Sequence, residues 1–405
     1  MRVLYVSAIA FSTAVVLRGQ CLYFRRRGFE VIVAASPSED LRRLALAEDV
    51  TVIPITIHRE ISPLHDLRSL WRLFAMMRRV RPDIVNIGTP KAGLLAGLAG
   101  WFARVPYRVY WLHGLRLETT HGLKRRILSL AERIACRTAT VVPCVSPSVR
   151  DVAVAARLLP PSKAVVLGAG SANGVDCSRF IATPERLAQA SRIRAELQIP
   201  EHTRVVGHVG RLTRDKGVGE LVTAFLALPP QFEDCRLLLV GGFEDDDPVP
   251  EQIRRTIADH PRIIMTGFVA DTAPYYHIMD VLALPSYREG FGTVVLEAHC
   301  AKRPVVGTRV TGLVDSIVDG VNGLLVPVGD CSALSGALSL VLGDPSMSMR
   351  LGERGFLRVK ESFQCESVWS QIEALYLEML QSGWPANVSN SKAHPGQLRS
   401  DAQPK

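Results

Sequence analysis

The sequence lacks the features of a membrane-spanning, metal-organised or disulfide-built protein. No apolar run reaches the roughly 18 residues that a spanning helix needs, and GLLAGLAGWFARV, from Gly93, is too short and carries an arginine. The eight cysteines are scattered, with no Cys-x-x-Cys and no Cys/His cluster at metal spacing. Neither a zinc site nor a disulfide framework is expected, and the reducing cytosol is the expected compartment. Aromatic residues make up only 6%. No nucleic-acid motif or interleaved aromatic pattern accompanies the basic charge, which argues against a nucleic-acid partner. The opening MRVLYVSAIAFSTAVVLRGQC pairs a basic start with an apolar run, but no small-residue cleavage site follows. It reads as a buried first strand rather than a signal peptide.

What is present fits a soluble globular chain of two domains. A length of 405 residues is long for one hydrophobic core, and 47% hydrophobic with 21% charged residues is ordinary for such proteins. The net charge of +9 is unevenly placed: residues 1–180 hold 26 Lys and Arg against 12 Asp and Glu, the remainder 22 against 27. A solvated basic surface is one reading of the first half. Attraction to an anionic membrane or a diphosphate-bearing partner is the sharper one.

Short apolar runs alternate with longer stretches of helical period, the pattern of parallel sheets built from strand-helix-strand units. RVLYVS, EVIVAA, TVIPITI, DIVNIG, YRVYWL, TVVPCV and AVVLG form a first series; RVVGHVG, RLLLVGG, RIIMTG, DVLALPS, PVVGT and NGLLVP form a second. The expected fold is therefore α/β, two doubly wound Rossmann-like domains facing a central cleft. Expected boundaries are 1–183 and 184–365, then a helix over 366–384 that packs back on the first domain, then a disordered polar tail over 385–405. In LHDLRSLWRLFAMMRRV, the stripe Leu64, Leu67, Leu70/Trp71, Phe74, Met77 is expected to pack on the sheet. A membrane-surface helix is the alternative, favoured by Arg68, Arg72, Arg78, Arg79 and Arg81.

The segment SYREGFGTVVLEAHC carries the chemistry. DVLALPS is a strand, so YREGFG is the loop at its carboxyl end and TVVLEAHCAK the following helix. Glycines let a ligand approach this backbone, and a helix start offers unpaired N–H groups and a positive dipole end, a seat for phosphate. A carboxylate beside a phosphate needs another task, and accepting bonds from sugar hydroxyls is the natural one. Glu289 and Glu297 flanking such a seat suggest a diphosphate between two polyols, a nucleotide sugar. Arg211 and Lys216, in the loop of VVGHVGRLTRDKGVGELV, would bring cationic donors to the same diphosphate.

GRLTRDKG, SYREGFGTVVLEA and PVVGTRVTGLVDSIVDGVNGLLVP resemble the donor domain of family-4 glycosyltransferases, retaining enzymes of the GT-B fold. TPKAGLLAGLAGWFARVPYRVYWLHGLRLET, ERIACRTATVVPCVS and VLGAGSANGVDCSRF resemble the branch of that family acting in bacterial capsular, exopolysaccharide or O-antigen synthesis. The likeness covers roughly residues 1 to 380. It implies that Glu289 binds donor-sugar hydroxyls, that Glu297 binds the ribose, and that the backbone of Gly290, Phe291 and Gly292 holds sugar and diphosphate. Arg211 and Lys216 would neutralise the leaving diphosphate, and His113 would face the donor sugar as a catalytic partner of Glu289. One departure is that SAIAFSTAVVLRGQ lacks the Gly-Gly pair that many members carry after the first strand.

The basic first half is expected to hold the acceptor. Lys91, in GTPKAG, and Arg116, in HGLRLE, are candidates to meet the diphosphate of a polyprenyl-linked saccharide at the inner leaflet of the cytoplasmic membrane. The resemblance further implies a donor that carries UDP and a hexose or N-acetylhexosamine. No cofactor or metal is expected, and the acidic run GGFEDDDPVP reads as a solvated loop. GAGSANG reads as a loop near the hinge, since its glycine spacing does not complete a dinucleotide fingerprint. Two rivals are a nucleotide-sugar epimerase of similar architecture and a non-catalytic membrane-associated binding protein.

Overall fold

The computed structural model describes residues 1–8, 17–58 and 62–382. Residues 9–16, the heart of the segment lacking a glycine pair, and the tail from Pro385 lie outside the described residues. The first unit runs β1 (Arg2–Val6), α1 (Gln20–Arg26), β2 (Glu30–Ala35), α2 (Glu39–Glu48), β3 (Thr51–Pro54), α3 (Pro63–Val80), β4 (Ile84–Ile87), α4 (Pro90–Phe102), β5 (Tyr107–Tyr110), α5 (Gly122–Thr138), β6 (Val142–Pro143), α6 (Pro147–Ala155) and β7 (Ala164–Val165). The second runs α7 (Pro184–Glu196), β8 (Val205–Val209), α8 (Val218–Leu226), β9 (Arg236–Val240), α9 (Glu251–Asp259), β10 (Ile263–Gly267), α10 (Ala273–Ile278), β11 (Val281–Leu284), α11 (Thr293–Cys300), β12 (Val305–Thr308), α12 (Leu313–Ser316), β13 (Gly323–Val326), α13 (Cys331–Gly343), α14 (Pro345–Ser362) and α15 (Cys365–Ser382).

The strand orders are β3-β2-β1-β4-β5 and β10-β9-β8-β11-β12-β13, and neighbouring strands pair parallel. Such strands are covered on both faces, which is why β8 (VVGHV) and β11 (VLAL) are buried along their whole length. The order reverses between β1 and β4, and again between β8 and β11. Loops diverge at such reversals and leave a crevice beyond the strand carboxyl ends. The loops after β8 and β11 hold GRLTRDKG and YREGFG, so the topology sets both candidate motifs on one crevice.

Right-handed crossovers place α3, α4 and α5 together on one face of the first sheet, with α4 packed between the other two. Helix α4, PKAGLLAGLAGWF, packs closely because its contact positions are glycines. A Cβ at Gly93 would sit 2.4 Å from the Tyr110 ring, and one at Gly97 would sit 2.5 Å from Thr138 Oγ1 on α5.

The structure corrects the expected stripe on α3 in part: Met77 is buried and Leu70 and Phe74 pack against the core, whereas the rest of the stripe faces outward. Leu64, Leu67 and Trp71 are exposed, and the buried residues are Ser69, Leu73, Met76 and Met77. Apolar residues wrap more than half of this helix, so two stripes are available. The Ser69 hydroxyl, donating 2.9 Å to the Thr56 carbonyl, helps mark the inward one.

Helix α15 lies against the first unit. Its Tyr376 ring packs on Phe24 and its hydroxyl meets Asn86, while Tyr23 donates to Glu373 at 2.9 Å. A disulfide joins Cys177, just after the GAGSANG loop, to Cys300 at the end of α11, with Cα atoms 5.1 Å apart. The expectation of no disulfide is thereby corrected. The partners are separated by 123 residues, a distance at which spacing in the chain carries no pairing signal.

Candidate active site

β11 delivers the chain to Ser286, and the next six residues form the loop that leads into α11. The Thr308 hydroxyl, at the end of β12, donates to the Ser286 carbonyl, and Tyr287 N–H donates 2.8 Å to the Asp215 carbonyl. The loop is thus tied to the neighbouring strand and to the loop after β8. Gly292, at φ 77°, is the N-cap of α11 and turns the chain into the helix.

Within this frame, Lys216 Nζ forms an ion pair with Glu289 Oε1, and the Ser286 hydroxyl donates to the same oxygen at 3.1 Å. Both charged side chains are largely withdrawn from solvent. The structure therefore joins the cation of one motif to the carboxylate of the other at the crevice, beside the start of α11. A helix start favours anions through its unpaired N–H groups and dipole. The pair sets one cation and one hydrogen-bond acceptor side by side at the crevice.

Arg211 is placed differently. It bonds Glu244 at 2.5 Å and is half exposed. Asp247 accepts from Asp215 N–H at 2.6 Å and lies 3.7 Å from Arg214. The acidic run expected as a solvated loop instead folds onto the cationic loop, because its carboxylates find Arg211, Arg214 and a backbone amide. The guanidinium stands at the rim, restrained by a surface ion pair that contributes about 1 kcal/mol or less.

Glu297 lies one turn into α11, recessed, and accepts from the Tyr276 hydroxyl at 2.6 Å. Burial pushes its carboxyl above the ordinary range, partly offset by the Tyr276 hydroxyl. The Phe291 side chain points away from the crevice, 5.2 Å from Phe363 between ring centroids and against Gly170 of the GAGSANG loop. That loop therefore meets the second unit.

The first unit closes the crevice through HGLRLET, just beyond β5. His113 stacks on Trp111 with ring centroids 6.2 Å apart, and burial pushes its imidazole down to about 4, so it is neutral at pH 7. A neutral imidazole offers one donor and one acceptor. Its backbone is pressed against the YREGFG loop: a Cβ at Gly290 would lie 1.9 Å from the His113 carbonyl oxygen, and one at Gly114 would lie 3.2 Å from Gly290 Cα. Glycine is required at 290 because two backbones meet there with no room for a side chain.

Polar contacts across the cleft complete the enclosure, and none of them was anticipated from sequence. Arg288 Nε donates across it to the Thr119 hydroxyl at 3.1 Å, and within its own unit to Asp215 at 2.7 Å; Thr311 donates to Glu118 at 2.6 Å. Ser148 N–H donates to Asp315 at 3.0 Å, and its hydroxyl accepts from Gly312 N–H at 2.7 Å. Asp215 and Arg288 lie inside the motifs already singled out, which was the available signal.

Lys91 opens α4 just after β4 and pairs with Asp66 of α3 at 2.7 Å. Arg116 begins the 3₁₀ turn Arg116–Thr119 after β5 and is exposed. Both stand beyond the carboxyl ends of adjacent strands, on the cleft side of the first unit.

Comparison with known proteins identifies the family and the fold. A model described as "Glycosyl transferases group 1" matches residues 189–358, and one described as "Glycosyl transferase 4-like domain" matches residues 13–170. The chain is 32% identical over 365 residues to the capsular polysaccharide biosynthesis glycosyltransferase CapM of Staphylococcus aureus, covering 90% of this chain and 94% of that protein. It is 24% identical over 331 residues to an Escherichia coli protein named UDP-Gal:alpha-D-GlcNAc-diphosphoundecaprenol alpha-1,3-galactosyltransferase, covering 80% of this chain and 83% of that one. Among solved structures, Anabaena HepE in complex with UDP-glucose superposes with a TM-score of 0.78 at 23% identity, covering 93% of this chain and 100% of HepE. The fold is GT-B, and the chain belongs to the group 1 glycosyltransferases.

Proposed function

We propose that the protein moves a hexose or N-acetylhexosamine from a UDP-sugar to a polyprenyl-diphosphate-linked saccharide, with retention of anomeric configuration, in bacterial surface-polysaccharide synthesis. The observation that carries this reading is the Lys216–Glu289 pair beside the start of α11, closed over by His113. Lys216 and the first turn of α11 hold the β-phosphate, where negative charge grows as the glycosidic bond breaks, so their help is greatest in the transition state. On donor binding the Lys216 ammonium is shared with phosphate, and Glu289 accepts from sugar hydroxyls. Glu297 accepts from the ribose, and the backbone N–H groups of Phe291 and Gly292 orient sugar and diphosphate. His113, neutral, bonds a sugar hydroxyl from the opposite wall. The acceptor hydroxyl enters on the face from which UDP departs, and no protein nucleophile is used.

Arg211 adds a second cation to the diphosphate by leaving Glu244, a contact weak enough to exchange. Charge neutralisation by Lys and Arg makes the proposed reaction independent of metal, which an assay with added chelator checks. Lys91 and Arg116 are assigned to the acceptor's diphosphate, and the enzyme acts as a peripheral protein on the inner face of the cytoplasmic membrane. The names of the relatives support capsule-type synthesis, a UDP donor and an undecaprenyl-diphosphate acceptor.

The test is a panel of nucleotide sugars assayed with membrane extract, with the glycolipid product identified. Lys216→Ala and Glu289→Ala are each expected to lower turnover by on the order of 100-fold. Near-normal turnover in both contradicts the site, and release of an isomerised sugar without acceptor identifies an epimerase instead. Lys91→Glu and Arg116→Glu should raise the acceptor's KM more than the donor's; unchanged acceptor kinetics removes that assignment.

A further inference from the structure

We infer that the outer face of α3, α4 and α5 is a docking surface for an anionic lipid bilayer. Its residues are those the fold leaves without an internal role. On α3, Leu64 is 82% exposed, and Leu67 and Trp71 follow it along the same side of the helix. On α5, Leu123 is 72% exposed, and Ile127 and Leu130 continue that stripe at one-turn spacing. Between them α4 turns half-buried Leu94 and exposed Trp101 and Phe102 outward. Single exposed apolar residues need no explanation, but eight large ones on three adjoining helices do. With helix axes 8–10 Å apart and some 25 Å of helix length, the face spans roughly 20 by 25 Å.

Charge selects the occupant. Residues 63–81, 90–104 and 122–138 contain twelve Lys and Arg against Asp66 and Glu132 alone. Of the two carboxylates, Asp66 pairs with Lys91, and Glu132 is buried against the Tyr110 hydroxyl at 2.6 Å. Basic side chains interleaved with leucine and tryptophan on an amphipathic helix match an anionic interface, where the apolar groups enter the acyl boundary and the cations meet headgroups. A second copy of this chain would bring the same excess of cations against itself, which disfavours self-association through this face. Among the described residues no helix is long and apolar enough to cross a membrane.

The face adjoins the proposed acceptor site. Crossover helices run antiparallel to their strands, so the amino ends of α3, α4 and α5 lie at the strand carboxyl ends. Leu64, Leu67, Leu123 and Ile127 therefore sit at the cleft end of the face, with Lys91 and Arg116. A bilayer on this surface presents a lipid-linked diphosphate directly to those two cations. That consequence rests on the proposed acceptor, whereas the contact itself rests only on the face.

The test is co-sedimentation of the full chain with vesicles of phosphatidylcholine, alone and mixed with phosphatidylglycerol. Wild type is expected to bind the mixed vesicles and not the neutral ones, with binding weakened by added salt. Leu67→Glu with Ile127→Glu should lower partitioning by about tenfold or more. Arg68→Gln, Arg72→Gln and Lys124→Gln should each lower it by roughly fivefold at low salt. Leu340→Glu, on exposed α13 of the second unit, should leave it unchanged. UDP binding by calorimetry monitors folding and is expected to be the same in every variant. Wild-type vesicle binding by the Leu67/Ile127 variant overturns the proposal, as does a stable dimer that the same variant splits. Vesicle binding without any UDP binding counts against the proposed reaction and leaves the docking face standing.

Discussion

A methyl group placed at Gly290 tests whether closure of the two units is part of the chemistry. Its Cβ would lie 1.9 Å from the His113 carbonyl oxygen, 2.8 Å from the carbonyl carbon and 3.3 Å from Val145 Cγ2. Gly290 is not among the positive-φ glycines, so the conflict is one of space and not of backbone torsion. Relieving an oxygen–carbon contact to an ordinary separation of about 3.2 Å requires the YREGFG loop and the HGL loop to part by about 1.3 Å. If the cleft holds, overpacking costs about 1–3 kcal/mol of stability. If the units part, stability is nearly kept but His113 recedes from the donor, and a displacement of about 1 Å lowers turnover by roughly 100-fold. The polar contacts across the cleft come from short turns and helix starts, which can shift without unfolding a sheet, so the second outcome is expected. The assay pairs kcat with a thermal melt: Gly290→Ala should lose turnover with little change in Tm. Gly336→Ala, whose Cβ would meet nothing within 4 Å, is the control and should keep both. Wild-type turnover in Gly290→Ala refutes the argument that closure is required.

Two further outcomes follow from the structure. Burial pushes His208 and His299 down to about 4, so each is neutral in the fold and protonated in the unfolded chain below about 6.5. The unfolded state then binds more protons, so each contributes stability that is complete above about pH 6.5 and is lost as pH falls toward 4, on the order of 3 kcal/mol apiece. Melts of wild type and His299→Gln across that window should converge on acidification, and parallel curves would contradict the assignment. Cys177 and Cys300 are joined and the other six cysteines are free. Alkylation of the denatured chain should therefore label six thiols without reductant and eight with it. Reduction should cost about 2–4 kcal/mol of stability, and eight labels without reductant would remove the bond.

The parts of this protein legible in its sequence are those written in consecutive residues. β-Branched runs such as RVVGHV and PVVGT identify buried parallel strands because both faces of such a strand must be apolar. YREGFG and GRLTRDKG stood out because glycines, carboxylates and cations at strand ends have no use in a core. What joins distant segments was not legible. The meeting of His113 with Gly290, of Ser148 with Asp315 and of Cys177 with Cys300 depends on how two sheets face each other, which no local pattern encodes. Helix α3 is legible only in part, for a different reason: its apolar residues cover both the inner stripe through Leu73 and Met77 and the outer one through Leu64, Leu67 and Trp71. Periodicity says that such a helix is amphipathic but not which stripe meets the sheet. The partner of Arg211 was missed likewise, since an acidic run in a loop reads as solvated until its cation is placed beside it.

The central claim is that Lys216, Glu289 and the start of α11 form a seat for a nucleoside diphosphate. Calorimetric titration with UDP tests it most directly. The wild-type chain should bind one UDP, and Lys216→Ala should weaken binding by about 10- to 100-fold, the scale of a lost charge-assisted bond. Equal affinity in the two proteins, or no binding of UDP by either, would contradict the account.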